Sequence, residues 1–185
     1  MSWLTDTSRA LSAATKLVLH DREGLKDFNN TLPGFWHSFT AIVLIAPVYL
    51  FISSINWTPE STGTIAGYSV ARHLMALGLQ WAIWPLIMVF ATRWSGLGQH
   101  FTRYVIVYNW SNVLIITALS LPALLFRIGI IPVEAAAMLT GIIQLGTFYL
   151  EWYLARASLD TKGVIAAAVV LGNFVLSVGI LRLVG

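Results

Sequence analysis

The chain alternates long apolar runs with short polar ones, and five of the runs, near Gly34 to Ile55, His73 to Thr92, Val105 to Phe126, Val133 to Leu154 and Gly163 to Val184, are long enough to matter. About 20 uncharged residues cross the hydrocarbon of a bilayer as a helix. The pattern therefore predicts an all-α, polytopic membrane bundle of five transmembrane helices. Ahead of the first run, Leu4, Leu11, Ala14 and Val18 recur at helical spacing while Arg9, Ser12 and Lys16 take other faces. This predicts an amino-terminal amphipathic helix, with Trp3, Leu4, Leu11, Lys16 and Val18 as its membrane-interface residues, that either lies flat on the leaflet or caps the bundle from below. Residues 1–33 then form a cytoplasmic segment and lead-in, Pro33 and Gly34 the break after it, and residues 34–185 one five-helix transmembrane domain.

The runs are not uniformly apolar. The stretch from Tyr104 to Phe126 carries no charge, yet it contains "VYNWSNVL", Val107 to Leu114, with two carboxamides. A polar group left unpaired in hydrocarbon costs several kcal/mol, so Asn109 and Asn112 require partners. At 100° per residue, Asn109, Asn112, Thr117 and Ser120 share one side of a helix. The fourth run shows a second stripe, Thr140, Gln144, Thr147 and Glu151, spaced four, three and four. His73 and Gln80 in the second run, and Asn173 and Ser177 in the fifth, extend the set. Together Gln80, Asn109, Asn112, Thr117, Thr140, Gln144, Thr147, Glu151 and Asn173 predict a polar seam inside the bundle. Two roles fit it. Hydrogen bonds across helices would hold the bundle together at about 0.6 kcal/mol each; alternatively the seam lines a solute or ion path, with Pro47, Pro85 and Pro122 as hinges. Glu151 is the ionisable residue that would mark such a path, but placed in the last turn of its helix it is expected to pair with Arg93, Arg103 or Arg156. Trp81 and Trp84 beside Pro85 predict a packed, kinked helix or an aromatic ligand box. Ala137 with Gly141, and Ala168 with Gly172, offer small residues for close helix contact.

Composition agrees: 57% of the 185 residues are hydrophobic and 10% charged, against roughly 25% charged in a soluble domain. Alternating the spans puts eight of the eleven Lys and Arg (Arg9, Lys16, Arg22, Lys26, Arg93, Arg103, Arg156 and Lys162) on one side and Arg72, Arg127 and Arg182 on the other. That bias predicts a cytoplasmic amino terminus and a carboxyl terminus on the opposite side. Trp57, Trp94, Tyr104, Trp152 and Tyr153 fall at interface depths, where amphipathic rings are favoured. The net charge of +3 is scattered and forms no nucleic-acid-binding face. With no cysteine there is no disulfide or thiol chemistry. The start lacks a basic stretch followed by an unbroken apolar core, so it is expected to stay in the mature protein. No metalloprotease, phosphate-loop or nucleophile-elbow motif occurs, and His20, His37, His73 and His100 lack ligand spacing. The expectation is a non-enzymatic protein without catalytic residues, metal or cofactor. Of the glycosylation-type tripeptides, only the one at Asn56 would fall on the face away from the cytoplasm.

In arrangement the chain resembles the Yip1 family: a cytoplasmic amino-terminal segment, five closely spaced helices and a carboxyl terminus on the far side. "GFWHSFTAIVLIAPVYLF", Gly34 to Phe51, is similar to the aromatic entry and mid-helix proline of bacterial Yip1-like proteins. "FTRYVIVYNWSNVLIITALSLPALLF", Phe101 to Phe126, is similar to their third span with its late proline. The resemblance covers most of the chain after Pro33. It implies a non-enzymatic membrane protein, of a kind whose bacterial members are mostly without assigned function; with the missing chemistry, the short loops and a seam that helix contacts can satisfy, the expectation is an inner-membrane organiser, scaffold or accessory subunit, whose partners are the bilayer and either another protein or a second copy meeting it through membrane faces. Eukaryotic members are associated with vesicle traffic, small GTPases and membrane shaping, but about 30 residues before the first span are too few for a sizeable GTPase-binding domain. A small oligomeric transporter or channel is the alternative.

Overall fold

The computed structural model describes residues 3–55 and 69–184; the predicted interface residue Trp57 and the tripeptide at Asn56 lie outside them. The described residues are helical and contain no strand. In order they form α1 (Trp3–Val18), α2 (Gly24–Asp27), α3 (Leu32–Ser38), α4 (Ala41–Ile55), α5 (Val70–Trp94), a 3-10 turn at Gly98–His100, α6 (Phe101–Arg127), α7 (Val133–Leu159) and α8 (Gly163–Val184). Five segments are long and apolar enough to cross a membrane: Leu32–Ser54, Val70–Trp94, Gly98–Arg127, Val133–Leu159 and Gly163–Val184. This is a polytopic membrane bundle. Its outward side chains are apolar, among them Val43, Leu86, Phe90, Leu145, Val164 and Leu171, which is the surface lipid requires.

The lead-in ends just before Pro33, and the first span opens at Leu32. Thr31 caps α3 by accepting from the Gly34 backbone N–H at 3.3 Å, and Pro33 occupies the first turn, where its missing N–H costs nothing. Gly34 is needed for another reason: a Cβ there would overlap the backbone carbonyl of Asn29. The first span is interrupted later, between α3 and α4, where the Ser38 and Thr40 hydroxyls donate back to the Phe35 and His37 carbonyls at 2.7 Å each and offer the backbone an alternative to a continuous ladder. By contrast α4, α5 and α6 run unbroken through Pro47, Pro85 and Pro122.

Helix α6 is the centre of the bundle, in contact with α1, α3, α4 and α7, while α8 closes the ring between α5 and α7. The amino-terminal helix is a cap. Thr7, Ala10, Ala13, Ala14 and Leu17 are buried against the bundle, with Ile106 and Trp110 of α6 in the same core. Tyr153 of α7 donates to the His20 carbonyl at 3.2 Å, fixing the end of the cap. The predicted apolar stripe is offset from this buried face: Leu11 and Val18 are half-buried at its edge, and Leu4 and Trp3 are exposed, free to meet the interface. Lys16 is outward as predicted, and its Nζ lies 2.7 Å from Asp27 Oδ2, tying α1 to α2. That carboxylate holds the Lys16 ammonium above its ordinary range, but an exposed pair of this kind contributes little.

A candidate solute site between the five spans

The structure divides the predicted seam into three groups. The first is internal to single helices. Thr117 donates to the Val113 carbonyl at 2.6 Å and Thr140 to the Ala136 carbonyl at 2.8 Å. Both are exposed on the outside of the bundle, a correction to the seam: a hydroxyl that bonds its own preceding turn is tolerated facing lipid. Gln144 Nε2 donates to Thr147 Oγ1 at 3.1 Å, again within α7. The second group is Asn109, which points toward the cap: its Nδ2 donates to Ser38 Oγ of α3 at 2.9 Å, while its Oδ1 is buried without a partner.

The third group surrounds a cavity of about 290 Å³ to which all five spans contribute: Tyr49 from α4, Gln80 and Trp81 from α5, Tyr108 and Asn112 from α6, Glu151 from α7, and Asn173 and Ser177 from α8. A second, much smaller space of about 20 Å³ shares Tyr108, Asn112, Ile115, Glu151 and Asn173 with the first and adds Tyr104, Ser111 and Ser158. The two are therefore a wide chamber and a narrow extension meeting at Glu151. The wide part reaches Leu119 and Leu181, far along α6 and α8, so it occupies the half of the bundle away from the α1 cap. The larger chamber has room for several waters or one small organic molecule.

Hydrogen bonds fix much of this wall. Gln80 Nε2 donates to Asn173 Oδ1 at 3.0 Å and to Ser177 Oγ at 2.6 Å, and the Tyr108 hydroxyl donates to the same Asn173 oxygen at 3.3 Å. Asn112 Nδ2 donates to the Tyr108 carbonyl at 2.9 Å, leaving the amide oxygen as its acceptor for a further group. Trp84 is a packing residue, fully buried with its Nε1 donating to the Tyr104 hydroxyl at 2.9 Å. Trp81, three residues before it, belongs to the cavity wall instead, and its indole N–H is buried without a partner, as is the Ser111 hydroxyl in the narrow extension.

Glu151 departs most from expectation. Helix α7 continues to Leu159, so Glu151 lies eight residues before its end, about 12 Å at 1.5 Å per residue, rather than in the last turn. The expected ion pair is absent. Among the described residues the salt bridges are Lys16 with Asp27 and Lys26 with Glu23. Arg103 instead donates to the Ser158 carbonyl at 2.6 Å, and Arg156 sits 5.5 Å over the Trp152 ring. No Lys, Arg or His lines either space around Glu151. The predicted small-residue contacts also separate: Gly172 faces the Trp84 ring, whereas Ala137 and Gly141 are exposed and a Cβ on Gly141 would meet nothing.

The chain matches no protein-family model, no curated protein and no solved structure. Its function is therefore read from the geometry alone.

Proposed function

We propose that the protein is a small solute transporter or channel of a bacterial inner membrane, non-enzymatic, with the cavity between the five spans as its site. The observation that carries this reading is Glu151: a carboxylate within the span, without a cationic side chain, on the wall of a chamber that every span lines. Placing an ionisable group at membrane depth costs about 2.5–3.5 kcal/mol even by the mildest scale. A bundle that needed only helix-to-helix adhesion could obtain it from the Gln80, Asn173 and Ser177 network at far lower cost. The short connections and the excess of Lys and Arg beside α1 support a cytoplasmic amino terminus.

The naturally cysteine-free chain offers a direct test. Single cysteines at Asn112, Asn173 and Ser177 are expected to react with a membrane-impermeant maleimide in intact membranes, whereas one at Asn109, sealed against Ser38, is not. Unreactive cysteines at all three cavity positions would sink the proposal. A second reading, a Yip1-like organiser or scaffold, draws on the fact that the wall side chains bond across helices from α5 and α6 to α8. It predicts a dry chamber and the same sealed result at every position.

A further inference from the structure

We propose that the solute is an organic ammonium ion, held by its charge against Glu151 and by its alkyl groups against the aromatic wall. The inference rests on the solute-site reading above and names its ligand class. Charge is the first argument. Glu151 is the acidic residue of both spaces, and no basic side chain lines either of them. A carboxyl group in such a cavity either holds a proton or, when ionised, favours a positive partner, because an unpaired buried charge is far more costly than a paired one. An anionic solute would add like charge to the same wall.

The second argument is the surface around that charge. Tyr49, Trp81 and Tyr108 line the chamber, with the Trp81 and Tyr108 rings 6.3 Å apart and tilted by 48°. Aromatic faces carry negative potential and attract alkylated ammonium groups, most strongly where water is excluded. A bare metal ion suits the site less well. Calcium-type coordination takes six to eight oxygens close together, and among the described residues no group of three or more His, Cys, Asp or Glu could hold a metal. A proton would neutralise Glu151 but leaves a chamber of about 290 Å³ without a purpose.

The test uses the full chain, purified in detergent, and equilibrium dialysis with three radiolabelled probes: choline, tetraethylammonium and benzyltrimethylammonium. Competition by 3,3-dimethylbutan-1-ol, which matches choline in shape but lacks its charge, isolates the electrostatic part. Saturable binding of at least one cation is expected, with the neutral alcohol about tenfold weaker or worse as a competitor than choline. Glu151→Gln is expected to lower cation affinity by about tenfold or more, and Glu151→Asp to retain most of it. Equal competition by the alcohol, or undiminished cation binding by a folded Glu151→Gln variant, would overturn the ammonium assignment while leaving a neutral-solute site standing. If Glu151→Gln does not fold, the comparison of choline with its neutral analogue in the unaltered protein decides. Failure of all three cations to bind while cysteines at Asn112 and Asn173 still label removes this inference alone. Failure of binding together with unlabelled cysteines removes the solute site as well.

Discussion

Asn109 and Asn112 are three residues apart on α6, and they serve different neighbours: Ser38 on the cap side for one, the cavity wall for the other. A helical projection puts them on one side because it measures angle and not what stands opposite. On a central helix with partners around most of its circumference, 60° is enough to change the neighbour. Polar residues were thus legible as residues that needed partners, but not which partner each would take. The Ser38 hydroxyl, fully buried, is the acceptor for the Asn109 amide. Ser38→Ala should therefore cost about 1–3 kcal/mol, since it orphans a buried N–H, and the pair Ser38→Ala with Asn109→Leu should cost less than Ser38→Ala alone. Unfolding by graded denaturing detergent reads both. The depth of Glu151 escaped the sequence for a similar reason. The fourth span was expected to stop near Leu154, but the helix continues to Leu159, with the Arg156 guanidinium over Trp152.

At the scale of elements, all five spans were visible as apolar runs, and the structure lengthens three of them by tolerating charged or polar residues in their terminal turns, as with Arg93 and Arg127. What the runs could not reveal was the role of small residues. Alanine and glycine have no strong preference for core or lipid, so Ala13 and Ala14 of α1 proved to be the docking face, while Ala137 and Gly141 face outward. Leu17 is the largest fully buried side chain of the cap. Leu17→Ala is expected to lower stability by about 2–5 kcal/mol and to speed proteolysis of α1 before the spans are affected. Glycines give a paired contrast. Gly34→Ala must push against the Asn29 carbonyl and should cost roughly 1–3 kcal/mol, whereas Gly141→Ala meets open space on a helix and should be neutral or stabilising by about 0.5–1 kcal/mol. Thermal unfolding in one detergent compares the two directly.

For the whole molecule, the five candidate spans among the described residues, crossed in turn, would put the two ends on opposite sides. With the amino terminus in the cytoplasm, a carboxyl-terminal alkaline phosphatase fusion should be active and a fluorescent-protein fusion dark; the reverse pair of results would invert the orientation. The bundle class followed from hydropathy alone, because lipid demands satisfied backbones and apolar exteriors. The interior void did not, since a cavity is a property of how five helices fail to fill the space between them. The off-centre position of Glu151 has an electrical meaning. Helix α7 is about 40 Å long, and a bilayer core is about 30 Å thick, so with the proposed orientation and solute a cation reaching Glu151 through the wide chamber would cross roughly two-thirds of the membrane field. At about 2.3 kcal/mol per charge for each 100 mV, that is near 1.5 kcal/mol, or about tenfold in occupancy. On the proposed reading, an energised membrane, negative inside, would load this site from without, and a collapsed one would let it empty.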